Sequence, residues 1–217
     1  VVWVSSSELH CVAPEHASGL VSVELTQNDQ QYTSDQLHYE YVEVSLHAVY
    51  PLSGPTVGGT EVRLSGSNLG PPGVVRGLFC HFAGAELVHA SYDGEEAVRC
   101  TTPPATAAGW VAVHVINNDA IYATSVAFEY YAALAVSSIE PVVGTLEGGT
   151  LLTVRGSGFV PSTTALVRFG SYRAVVARVL SATQLECTSP SHVQPALVSV
   201  EVTLNDIDYT SDEVLFE

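Results

Sequence analysis

The 217-residue sequence contains no methionine and no lysine, and nowhere does it approach twenty consecutive apolar residues. Without such a run no membrane-spanning helix is expected, and the first residues carry no signal-peptide pattern. A chain without methionine does not include its own translational start, so it reads as a mature or excised segment of something longer. The lack of lysine leaves seven arginines against 23 acidic residues, a formal net charge of −16. Nucleic acid and anionic lipid both require a positive surface, so an electrostatic grip on either is opposed. Cations or basic partners are favoured instead.

The motifs of catalysis are also missing. None of the eight histidines stands in a His-Glu-x-x-His spacing, and no Cys-x-x-Cys occurs, so zinc is not expected. There is no Gly-x-Ser-x-Gly elbow and no phosphate-cradling loop, and the sequence assigns no catalytic residue. Each asparagine fails the Asn-x-Ser/Thr rule. Turns such as Thr101-Thr102-Pro103-Pro104 and Pro161-Ser162-Thr163-Thr164 remain open to O-linked sugars, although the same residues suffice as turn formers.

What the chain does contain is repetition. Pro51-Leu52-Ser53-Gly54-Pro55-Thr56-Val57-Gly58-Gly59-Thr60 recurs as Pro141-Val142-Val143-Gly144-Thr145-Leu146-Glu147-Gly148-Gly149-Thr150. Each copy is followed by alternation, Val62 and Leu64 or Leu152 and Val154, and then by Gly66-Ser67 or Gly156-Ser157. The pattern predicts a tight turn feeding a strand. Gly58, Gly59, Gly148 and Gly149 are its structural turn residues, allowing positive φ, and the proline belongs at a strand edge or start.

A second pattern is written three times. Cys11-Val12-Ala13-Pro14 matches Cys100-Thr101-Thr102-Pro103 and Cys187-Thr188-Ser189-Pro190. Each is followed by alternating valines, then by Asn28-Asp29, Asn118-Asp119 or Asn205-Asp206, then by Tyr32, Tyr122 or Tyr209. Asn and Asp suit a hairpin because their side chains bond nearby backbone and tolerate left-handed conformations. The returning strands carry Leu37 and Tyr39, Val126 and Phe128, and Val214 and Phe216. No stretch has helical period with caps, so the fold is expected to be all-β.

These alignments divide the chain into the C-terminal half of a domain at 1–43, a full copy at 44–132 and another at 133–217. The connecting stretches, Val42 to Val49 and Ala132 to Glu140, are too short and apolar to be flexible tethers, which suggests an elongated, semi-rigid rod. The two copies of proline, glycine, Gly-Gly-Thr and Gly-Ser are followed by Cys80-His81-Phe82 or Val167-Arg168-Phe169-Gly170, then Cys-x-x-Pro and a closing Phe-Glu. Together they resemble IPT/TIG domains over nearly the whole chain. The resemblance implies tandem immunoglobulin-like β-sandwiches of the early-set type, found in plexin-type receptors, fibrocystin-like ectodomains and other surface proteins. It also implies a disulfide between Cys80 and Cys100, against the alternative of two buried thiols. Val167 stands at the position of Cys80 in the later copy, which leaves Cys187 as a buried hydrophobe.

The sharpest candidate for ligand chemistry is the repeated hairpin. Asn205, Asp206, Asp208 and Asp212, with Asn28, Asp29 and Asp35 and the pair Asn118 and Asp119, offer oxygen ligands of the kind calcium takes. The competing reading is plain turn chemistry, and the middle copy lacks most of the extra carboxylates. Beyond possible calcium no cofactor is expected. For function, the repeats and short connections favour an extracellular, non-catalytic array. It is read first as a structural or adhesive subunit of a filament or stalk, and alternatively as a spacer in a plexin-like or fibrocystin-like receptor. Its expected partners are other copies of itself or neighbouring domains, because a half sandwich exposes strand faces that another segment must cover.

Overall fold

The computed structural model describes residues 1–69, 77–94, 96–117, 120–121, 124–172 and 174–217. It is built from strands alone among these residues, and the chain forms two compact units, Val1–Glu43 and Val44–Glu217.

The first unit is a pair of hairpins. β1 (Val2–Ser5) pairs antiparallel with β2 (Glu8–His10), and β3 (Gly19–Val23) with β4 (Leu37–Tyr41). The alternation that predicts β3 and β4 is present, but no side chain of the unit is fully buried. Trp3 is 70% exposed, Leu20 69% and Leu37 63%, so both hairpins present apolar side chains without a layer packed on them.

The second unit holds two sandwiches. The middle domain runs β5 (Ser45–Tyr50), β6 (Ser53–Pro55), β7 (Glu61–Ser67), β8 (Leu78–Phe82), β9 (Leu87–Tyr92), β10 (Ala97–Thr101), β11 (Gly109–Asn117), β12 (Ala120–Ile121) and β13 (Val126–Tyr131). Its ladder passes β5-β7-β10-β9 and turns through β9 into β8-β11-β13-β6, with β6 parallel to β13. The third domain repeats this with β14 (Ala135–Glu140), β15 (Leu151–Ser157), β16 (Leu166–Phe169), β17 (Val175–Ser181), β18 (Gln184–Thr188), β19 (Val198–Thr203) and β20 (Leu215–Phe216), ordered β14-β15-β18-β17-β16-β19-β20. Here two backbone bonds, Gly144 N to the Glu217 carbonyl and Glu217 N to the Val142 carbonyl, stand where β6 meets β13. Both are immunoglobulin-like sandwiches.

Period-two patterning explains the cores. Val62 and Leu64 on β7, and Leu152 and Val154 on β15, are completely buried, facing Phe82 and Phe128 in one domain and Phe169 and Phe216 in the other. The stretches expected to be linkers are mostly strand: Ser45–Tyr50 and Ala135–Glu140 are the first strands of their domains. Their apolar character reflects core packing, since Leu46, Val49, Val136 and Ile139 are buried.

Candidate functional site

The Gly-Gly-Thr turn anchors the site in each sandwich. Gly58 and Gly148 have φ of +75° and +74°, and a Cβ there would meet the backbone of Pro103 at 2.7 Å or of Pro190 at 2.6 Å. The approach is this close because the turn is stitched to the Cys-x-x-Pro segment. Gly59 N donates to the Thr102 carbonyl, Thr102 N to the Thr60 carbonyl, and Thr60 N to the Thr102 hydroxyl at 3.1 Å. In the third domain the same bonds join Gly149, Thr150 and Ser189. The hydroxyl preceding each proline therefore satisfies a turn amide, a role that the sequence does not reveal because Thr and Ser there read as ordinary turn residues. Gly54 and Gly144 are required for a different reason, since a Cβ at Gly54 would press on the Thr60 hydroxyl and the Phe128 ring, and one at Gly144 on the Thr150 hydroxyl and the Phe216 ring.

The repeated hairpin is turn chemistry in detail. Asn205 Oδ1 accepts from Ile207 N at 3.1 Å and Asp208 N at 2.9 Å, Asp206 adopts φ +62°, and the Tyr209 hydroxyl donates to Asp206 at 2.9 Å. Thr210 closes the base, its amide donating to the Val202 carbonyl and its hydroxyl accepting from Val202 N. Asn28, Asp29, Tyr32 and Thr33 make the corresponding bonds in the first unit. Arg168 pairs with Glu201 and lies 3.9 Å over the Tyr209 ring. Burial, and then the bond to Asp206, push the Tyr209 phenol up to about 12.

The four calcium candidates are thus spread over separate duties. Asp212 accepts from Val136 N at 2.7 Å, at the irregular first strand β14; Asp206 serves Tyr209; Asn205 and Asp208 face another domain. Among the described residues, no group of three or more His, Cys, Asp or Glu is arranged to hold a metal ion. Asp35 is exposed in the first unit, and Asn118 and Asp119 lie outside the described residues.

Asn205 and Asp208 are where the hairpin does something beyond turning. Asn205 Nδ2 donates to the Ser53 carbonyl of the middle domain at 2.8 Å and to Asp208 at 2.7 Å. Asp208 also accepts from the Thr60 hydroxyl at 2.7 Å. Thr60 is completely buried and Asn205 nearly so. Beside them Tyr131, the last residue of β13, is buried within the third domain's hydrophobic cluster, and burial together with the Asp208 charge raises its phenol well above the ordinary range. A polar clamp and an aromatic plug join the two domains. Neither was visible in the sequence, because each links positions about 75 to 150 residues apart.

Cys80 and Cys100 form a disulfide between β8 and β10, while Cys187 is buried and free and Cys11 is exposed and free. Burial pushes the Cys187 thiol up to about 12. A thiol reagent at pH 8 should therefore label Cys11 and spare Cys187 in the native chain, which peptide mass analysis will show; rapid labelling of Cys187 would contradict its burial. The folded chain holds that proton more tightly than the unfolded one. Its contribution to stability is complete below about pH 9 and declines as pH rises from 9 towards 12.

Compared with known proteins, the IPT/TIG domain family model matches residues 1–41, 45–130 and 134–217. The chain belongs to the IPT/TIG family. Its IPT/TIG domains are similar to mouse (Mus musculus) Fibrocystin-L, 27% identical over 213 residues, covering 95% of this chain and 5% of that protein. They are also similar to mouse Plexin-A2, 30% identical over 188 residues, covering 82% of the chain and 9% of the relative. Among solved structures, the Plexin A4 full extracellular region, domains 1 to 10, matches with a TM-score of 0.48 at 19% identity, over 80% of this chain and 15% of that one. The chain thus spans less than a tenth of the curated relatives named here. With these relatives, it is an extracellular or cell-surface IPT/TIG chain.

Proposed function

We propose that the chain is a non-catalytic spacer segment of a plexin-like or fibrocystin-like receptor ectodomain, in which successive IPT/TIG domains hold flanking modules at a set distance. The observation that carries this is the clamp of Asn205 and Asp208 on Ser53 and Thr60, because a tether needs no buried polar bonds between domains whereas a spacer does. The relatives named above favour the receptor reading over a self-assembling filament. The exposed apolar side chains of Val1–Glu43 fit the same reading as half of an IPT/TIG domain, whose front strands would pair with β2 and β3 and cover Val23 and Tyr39, the counterparts of the buried Val113 and Phe128. Ion pairing of Arg63 and Arg99 with Asp93, and of Arg168 and Arg178 with Glu201 and Glu186, neutralises much of the scarce positive charge. The surface left over is strongly acidic.

The test is a distance measurement between spin labels at Ser91 and Ser181, both exposed, in a Cys11→Ser background. The unmodified junction should give a narrow distribution. Asn205→Ala with Asp208→Ala should broaden it and weaken the junction between the two domains by about 2 kcal/mol, since Thr60 and the Ser53 carbonyl lose buried partners. A broad distribution in the parent chain, or a narrow one in the double variant, would rule out the spacer reading as argued here. Concentration-dependent fibres of the parent chain in electron micrographs would restore the filament reading.

A further inference from the structure

The surface of the middle domain that receives the third domain has a counterpart on the third domain, and that counterpart is open. Ser53, Gly54, Pro55, Thr56 and Thr60 correspond in sequence to Val143, Gly144, Thr145, Leu146 and Thr150. In the middle domain Thr60 and Gly54 are buried; in the third, Thr150 and Gly144 are half-exposed, Val143 is 53% exposed and Leu146 42%. Beneath this rim lies a cleft of about 230 Å³, bordered by Val143, Leu146, Phe169, Pro190, Pro195 and Phe216.

The shape of that cleft is informative. In the middle domain Tyr130 lies across Phe82 and Phe128, with ring centroids 6.3 and 5.1 Å away, and its hydroxyl donates to the Pro103 carbonyl at 2.8 Å. The counterparts of Phe82, Phe128 and Pro103 are Phe169, Phe216 and Pro190, and all three line the cleft. Phe169 and Phe216 keep the same edge-to-face contact, centroids 5.5 Å apart. The third domain thus offers a socket for an aromatic side chain, and above it a carbonyl at Val143 and a hydroxyl at Thr150.

We propose that this pole of the third domain is a docking surface for a further IPT/TIG domain, joined through a strand that continues β20 with an aromatic residue. The aromatic side chain fills the cleft. The partner's hairpin presents an asparagine, whose amide donates to the Val143 carbonyl, and three residues later an acceptor side chain that takes the Thr150 hydroxyl. Asn28 and Gln31 of the first unit have this spacing, with Gln31 in place of Asp208, so the hairpin type recurs in the chain itself. The proposal rests on the array reading given above and takes its rim contacts from the junction between the middle and third domains; the aromatic cleft is argued from Tyr130, Phe82 and Phe128 and is read apart from that junction.

The experiment extends the full chain after Glu217 with a second copy of Tyr130–Glu217, since Glu217 occupies the position of Glu129, which Tyr130 follows. Only the original 217 residues carry isotope label, so that NMR reads their signals alone. Docking should shift the Val143, Leu146 and Thr150 signals and slow amide exchange in the third domain about tenfold, the effect of one good hydrogen bond. Tyr130→Ala in the appended copy precedes that copy's first strand, leaves its sandwich intact, and should reverse the shifts around the cleft. Thr150→Val in the original chain, or Asn205→Ala in the appended copy, should reverse those at the rim. Unshifted signals in the extended chain would overturn the proposal. So would the same shifts appearing in the unextended chain as its concentration rises, which would assign the face to a second copy instead.

Discussion

Replacing Gly148 by valine should destabilise the third domain by about 3–5 kcal/mol, whereas Gly149→Val, one residue on, should cost only about 1–2 kcal/mol. Both glycines have positive φ, +74° and +80°, so both substitutions pay for a left-handed conformation. The difference is space. A Cβ at Gly148 would lie 2.6 Å from the backbone of Pro190 and Ser191, while one at Gly149 meets nothing within 4 Å. Backbone cannot rotate aside as a side chain can, and the bonds between Gly149, Thr150 and Ser189 hold that segment in place. Gly58 and Gly59 form the same contrast in the middle domain, with Pro103 as the obstacle. Calorimetric unfolding of the four single variants measures all of this. Equal losses at Gly148 and Gly149 would mean that the close approach to Pro190 is not felt.

Reduction of the Cys80–Cys100 disulfide should lower the stability of the middle domain by about 3 kcal/mol, the loop-closure value for a bridge spanning 20 residues, and leave the third domain unmoved. The third domain meets the same demand without a bridge. Val167 is completely buried at the position of Cys80, and Cys187 is buried opposite it as a free thiol within the apolar cluster. Two unfolding transitions followed with and without reductant provide the measurement. A common shift of both, or no shift of either, would show that the bridge is not what separates the stabilities of the two sandwiches.

Much of the fold was legible in the residues. Alternation marked β7, β15, β11 and β19, the duplicated Gly-Gly-Thr turn marked the repeat, and the absence of helical period excluded helices. The hairpins were legible as hairpins, because Asn205 and Asn28 act on amides two and three residues away and such local bonding depends only on neighbours. The connections were misread: apolar character in Ser45–Tyr50 and Ala135–Glu140 belongs equally to a stiff linker and to a core strand, and only the packing of Val49 and Ile139 distinguishes them. The Thr102 and Ser189 hydroxyls were hidden for a similar reason, since their partners lie about 40 residues away at Thr60 and Thr150.

Composition, period and internal repetition mark an acidic, all-β, tandem array of IPT/TIG kind, and all three are properties of the residues in order, whatever they pack against. What Asp208 and Asn205 do was decided only by tertiary structure. A carboxylate on a turn suits a cation, a turn amide or a neighbouring domain equally well until packing brings Thr60 and Ser53, 148 and 152 positions away, within hydrogen-bond reach. The open socket at Phe169, Phe216 and Pro190 belongs to the same class, because a cleft exists only where strands from distant parts of the chain meet.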